Sequence, residues 1–222
     1  MCRFGPLKPT KNVYRTKLFQ TMKTSNTLNT SASKIILPET MSKIERLDRS
    51  LLSTDEQFHL DLFLLSCYTG GISLKDLAHL TKDKINGDKL DCSAISYPHV
   101  DAITICDKAR AIIDRYKDRS SGDYLLPILG KQHKTETHHE GCVKRLSSKA
   151  NATFRKIEQI LGCGPITWQG ARLAFIARLI EEKQPSREIY AFAGSTALAV
   201  EAEYIKRPGH MKEIYRQMNK RL

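Results

Sequence analysis

The segment that most constrains the fold is STDEQFHLDLFLLSCYTGG, residues 53–71. Ser53 or Thr54 is placed to cap a helix, Asp55 and Glu56 fill a first turn where negative charge is favourable, and Gly70 and Gly71 close the far end. Between these signals the body is apolar nearly all round, so no face of it can be given to water. The run is also well short of the roughly 20 apolar residues that a membrane span needs. It predicts a buried central helix, and the remaining elements must cover it.

The covers are legible in outline. Pro38 and Glu39 open a helix that carries Met41, Ile44, Leu47 and Leu51 on one face. Ser73 with Asp76 caps a short helix, LKDLAHL. Between Ile85 and Cys106, an Asn-Gly pair, a proline and alternating β-branched residues predict a small antiparallel sheet. Asp107 then caps KARAIIDRYKDR, YLLPIL forms a short buried piece, and a long basic amphipathic helix runs from about Glu140 to Leu161 before GCGP stops it. Thr167 caps WQGARLAFIARLIEEK, Ser186 caps REIYAF, which ends at Gly194, TALAVEAEYIK follows, and MKEIYRQMNKRL closes the chain. The class is mainly α with a small antiparallel β-sheet. Residues 1–34, rich in Thr, Ser, Asn and Lys without an apolar period, read as an arm or linker; 35–206 form one domain and 207–222 a terminal helix.

Charge narrows the function. The 36 lysines and arginines exceed the 24 acids, giving a formal net charge of +12 on a chain too apolar to be a disordered polycation. A folded basic domain has a polyanion as its natural partner, and nucleic acid is the first choice because neutralised phosphates release counterions. The six cysteines contain no CxxC pair and read as reduced, mostly buried thiols of a cytoplasmic protein. His133, His138 and His139, in HKTETHHE, sit in a polar stretch with no second ligand group at zinc spacing, so a solvated loop is expected, with no metal and no cofactor. No secretion signal precedes the body, and no membrane partner is expected.

Three pieces in order, ILPETMSKIERLDRSLL...FHLDLFLLSCYTGGISLKDLAHLTKDKI, ITWQGARLAFIARLI and FAGSTALAVEAEYIK, resemble the catalytic domain of tyrosine site-specific recombinases, the phage integrase family, with the nearest likeness to integrases of Bacteroides-type mobile elements. The resemblance covers about Lys34 to Lys206. It implies the recombinase catalytic fold and a tyrosine that attacks a DNA phosphodiester to leave a 3′-phosphotyrosyl link. Two arginines, a hairpin lysine and histidines would stabilise the charge. Tyrosine is a poor nucleophile at neutral pH, and the planar fork of arginine holds two phosphate oxygens at once.

Carried over position by position, the resemblance makes Arg172 the second arginine, a phosphate clamp, and Tyr204, 32 residues later, the candidate nucleophile. The other positions depart from the family. The first arginine is replaced by Gly70, or by Gly71 under a one-residue shift; the histidine three before Arg172 is Gln169, the one after it is Leu173, and the histidine of the penultimate motif is Ser195. No lysine lies between Lys89 and Lys108, where the hairpin lysine belongs, although His99 sits near that turn. Losing one such donor typically costs about 10² to 10³ in rate.

The expectation is a DNA-binding integrase-like protein of DNA recombination, catalytically impaired, cytoplasmic and nucleoid-associated in a bacterium. Its partners would be double-stranded DNA and a partner recombinase or a second copy, engaged through the C-terminal helix. Candidate DNA contacts are Lys82, Lys84, Lys144, Arg145, Lys149, Arg155 and Lys156. Two alternatives stand beside it. One is an active recombinase in which His99, Ser195 and Lys183 or Arg187 replace the lost donors. The other is a protein-interaction module or relic. The family's N-terminal core-binding domain has no counterpart in the 34-residue arm.

Overall fold

The structure, a computed structural model, describes residues 36–95, 100–185, 189, 190 and 193. The expected arm, the segment around His99, the Ser186 cap, Arg187, and the pieces carrying Ser195, Tyr204 and the terminal helix lie outside the described residues. In chain order the elements are α1 (Pro38–Glu45), a 3-10 turn (Arg49–Leu51), α2 (Thr54–Tyr68), α3 (Leu74–His79), a second 3-10 turn (Lys82–Lys84), β1 (Ile85–Asn86), β2 (Lys89–Asp91), β3 (Ala102–Thr104), α4 (Asp107–Tyr116), α5 (Glu136–Leu161) and α6 (Trp168–Glu181). The protein is thus mainly helical with one three-stranded antiparallel sheet, in which Ile85 pairs with Leu90 and Leu90 with Ile103.

The central helix is α2. Ser53 and Glu56 form a reciprocal capping box at its start, and every residue from His59 to Tyr68 is buried. Helices α5 and α6 pack most closely on it, with α4 and α3 completing the cover. Where the three longest helices meet, Phe63 of α2 and Trp168 of α6 each pack against Phe154 of α5 with ring centroids 5.3 Å apart. Edge-to-face and tilted rings of this kind add stability beyond the area they bury.

Burying α2 on all sides also buries its polar residues, and each finds a partner. The Asp61 carboxylate, fully inaccessible, lies 2.6 Å from guanidinium nitrogens of both Arg49 and Arg115 and accepts a 2.7 Å hydrogen bond from the Tyr116 hydroxyl. One carboxylate therefore fastens the turn before α2 and the end of α4 to the core. At the C-terminal end of α2, Glu45 accepts hydrogen bonds from Tyr68 and Lys108 at 2.7 and 2.6 Å. Burial works to raise its carboxyl, but these partners hold it below the usual range.

His59, buried on α2, bonds through Nδ1 to the Thr153 hydroxyl of α5 at 2.8 Å. Burial pushes its imidazole below the ordinary value of 6.5, against the opposing pull of Asp55. A base depressed in the folded state takes up its proton preferentially in the unfolded chain. Stability contributed here is full above 6.5 and is lost as pH falls through and below that value. The loss for one proton is no steeper than about 1.4 kcal/mol per pH unit. Urea midpoints measured between about pH 8 and pH 5 should fall on the acid side, and His59→Gln should flatten that fall. An unchanged pH profile in the variant would contradict the assignment.

Three element boundaries differ from the sequence expectation. The first helix ends at Glu45 instead of running on to Leu51, because the Asp48 side chain accepts from the Ser50 N–H and turns the chain into a 3-10 turn; Leu47 is buried, whereas Leu51 is exposed. Asp107 is the first residue of α4, not its cap. The long helix starts at Glu136, one turn earlier than expected, because Thr135 caps it by accepting from the His138 N–H. His138 and His139 thus belong to a helix, not to a solvated loop. Cys67, Cys92 and Cys106 are buried and Cys142 and Cys163 half-buried, all as free thiols, and burial raises the Cys92 thiol to about 12. Among the described residues no helix is long and apolar enough to cross a membrane.

Candidate nucleic-acid interface

Arg172 sits on α6, one turn after Trp168, and is half-buried. Its helix is set by Thr167, whose hydroxyl accepts from the Gly170 N–H, and by an apolar body, Leu173 to Ala177 buried all round, that packs α6 against α2. The end of α2 comes directly against it. Gly70 and Gly71 both have positive φ, +82° and +83°, and the Gly71 N–H reaches back to the Ser66 carbonyl at 2.8 Å to close the helix. A Cβ placed on Gly71 would lie 2.5 Å from Arg172 Cα and 2.6 Å from Arg172 Cβ. The glycine is therefore required twice, once by its backbone angle and once by the approach of α6.

The remaining positions divide clearly. Leu173 is buried in the core at 1% exposure and cannot face a ligand, whereas Gln169 is exposed on the first turn of α6. Ser195, His99 and the proposed nucleophile Tyr204 lie outside the described residues.

The seven cations nominated from sequence fall into two groups. Lys144, Arg145, Lys149 and Arg155 are exposed on α5, on the side away from Ala150, Thr153, Phe154 and Ile157, which face the core. They present a basic stripe along a 26-residue helix. The others are engaged with the protein. Lys156 pairs with Glu56 at 2.8 Å, tying α5 to the start of α2, and Lys84 pairs with Asp91 at 3.0 Å. Hydrogen bonds from Ser93 and from Lys84 hold Asp91 well below the ordinary carboxylate range. Lys82 is exposed and donates to the Gly122 carbonyl at 3.2 Å. Such surface pairs are weak enough to exchange for phosphate.

One grouping was invisible to sequence reasoning. His79, the last residue of α3, meets His139 and Glu136 in the first turn of α5, with ligand-capable atoms of all three within 4.8 Å of one another. Sixty residues separate the two histidines, so local spacing carries no sign of it. No protein-family model, curated protein or solved structure matches the chain.

Proposed function

We propose that the protein is a tyrosine-recombinase-like DNA-binding protein whose strand-cleaving chemistry is impaired. The observation that carries this reading is the contact between Gly71 and Arg172. The resemblance puts the arginine pair that clamps a scissile phosphate at Gly70, or at Gly71 under a one-residue shift, and at Arg172, and under that shift the two places lie against each other although far apart in sequence. With glycine at one, a single guanidinium is left at that junction. Leu173 is packed in the core where the resemblance calls for a histidine. The basic stripe on α5, added to a net charge of +12, supplies phosphate contacts without base recognition.

Such a chain binds duplex backbone and holds it near a cation, but lacks the donors that activate a phenol. Incubation with a nicked suicide duplex, followed by denaturing electrophoresis, tests both halves. Duplex is expected to be retained at low salt, with no covalent protein–DNA adduct. An adduct abolished by Tyr204→Phe would overturn the impaired reading in favour of an active recombinase. Failure to bind even nonspecific duplex at low salt would remove the DNA reading and favour a protein-interaction module.

A further inference from the structure

We infer that His79, His139 and Glu136 form a binding site for a divalent transition-metal ion of the zinc class. The argument starts from which ring nitrogens are already used. His79 Nδ1 lies 2.8 Å from the Lys75 carbonyl, and His139 Nε2 lies 2.8 Å from the His133 carbonyl. A carbonyl oxygen only accepts, so both of these nitrogens carry the proton and donate. The other nitrogens, His79 Nε2 and His139 Nδ1, are therefore lone-pair sites, and they face each other at 3.3 Å. Two acceptors held in this way repel unless a positive centre sits between them.

Three features select a metal ion as that centre. The 3.3 Å separation is longer than a typical direct hydrogen bond of about 2.9–3.0 Å. It matches the edge of a tetrahedron with metal–nitrogen bonds of about 2.0–2.1 Å, which is about 3.3–3.4 Å. A third donor is present, since Glu136 Oε2 lies 3.8 Å from His139 Nδ1. Each imidazole also donates its opposite N–H to a backbone carbonyl, the arrangement that fixes orientation and tautomer in metal-bound histidines.

The surroundings support the same occupant. The His139 side chain is only 16% exposed and its ring is braced at 87° by Tyr124, so one ligand is preset. Lys75 competes for the Glu136 carboxylate, but at 3.7 Å and with both side chains about 60% exposed it does not lock it. Two imidazoles and a carboxylate leave one position of a tetrahedron for water or a small ligand. His79 also lines a groove of about 460 Å³ between α3 and α5, with Leu74, Lys75, Val143 and Lys144. A bound ion would join the end of α3 to the first turn of the basic helix.

The test uses the full chain, stripped with a chelator and titrated with Zn²⁺ against a chromophoric competitor, and separately with Co²⁺. One equivalent is expected to bind, Co²⁺ should show the visible bands of a four-coordinate nitrogen–oxygen site, and Zn²⁺ should raise the melting temperature. His79→Gln and His139→Gln should each weaken binding at least tenfold and abolish the thermal shift, with His138→Gln as the unaffected control. Glu136→Gln, at an exposed position that leaves the fold intact, should also weaken binding. Absence of Zn²⁺ binding, including the case of a proton shared between the rings, would overturn the inference. So would unchanged binding in folded His79 and His139 variants, or Co²⁺ spectra dominated by thiolate charge transfer.

Discussion

Asp61→Ala is expected to lower the stability of the fold by about 3 kcal/mol or more, among the largest effects of any single substitution in the described core. The carboxylate is fully buried in the middle of α2, the helix around which everything else is arranged. Truncation leaves two guanidiniums drawn toward an apolar centre and a tyrosine hydroxyl without its acceptor. Arg49 and Arg115 keep partial access to water, with side chains 33% and 51% exposed, so the cost belongs at the lower end of the roughly 3–5 kcal/mol seen for broken buried pairs. Burial and the neighbouring carboxylate push the Tyr116 phenol up to about 12, which keeps its proton available as a donor. Tyr116→Phe, removing one hydrogen bond, should cost about 1 kcal/mol. Urea unfolding checks both: the midpoint should drop while the slope stays constant. A shift of less than about 1 kcal/mol for Asp61→Ala would show that the two arginines are held without it.

Gly71→Ala is expected to cost about 2–5 kcal/mol from two independent sources. A positive φ costs an L residue about 1–2 kcal/mol, and forcing a methyl into a closed contact typically costs about 1–3 kcal/mol. The methyl would meet the Arg172 backbone, which cannot swing aside as the tip of a flexible side chain can. Gly70→Ala shares the backbone angle and should lose at least that first contribution, about 1–2 kcal/mol. Larger side chains at 71 fare worse, so an arginine installed there, the place the resemblance gives it only under the one-residue shift, would break the α2–α6 junction. A Gly71→Ala protein within about 0.5 kcal/mol of the native chain would contradict the close approach.

Local physics in the sequence was a good guide where the determinants are local. The Ser or Thr cap, the acids of the first turn, the nearly all-apolar body of α2 and the terminating glycines predicted that helix and its central position, and the structure has both, with Ser53 as the cap. Asn86-Gly87 and the β-branched alternation predicted the sheet in the same way. Leu47 and Leu51 continue the apolar period of the first helix past its observed end at Glu45, and periodicity does not register a side chain such as Asp48 redirecting the backbone. The first turn of α5 is as polar as a loop, and only the Thr135 cap distinguishes it from one.

Contacts across the fold were not legible. Nothing local to Asp61 names Arg49 or Arg115 as partners, and nothing local to Gly71 shows that α6 lies against it. The resemblance to recombinases leads to the expectation that Gly70, or Gly71 under a one-residue shift, and Arg172 share one site, whereas the pairing of His79 with His139 has neither a spacing nor a likeness to reveal it.

The proposed duplex binding depends on phosphate contacts from the α5 face. The most direct measurement is fluorescence anisotropy of a short duplex titrated with protein over a series of NaCl concentrations. Four phosphate contacts predict a slope of log K against log salt of about −3 to −4. Replacing Lys144, Arg145, Lys149 and Arg155 together by alanine should bring that slope toward zero. Affinity indifferent to salt, or a slope unchanged by the four substitutions, would contradict it.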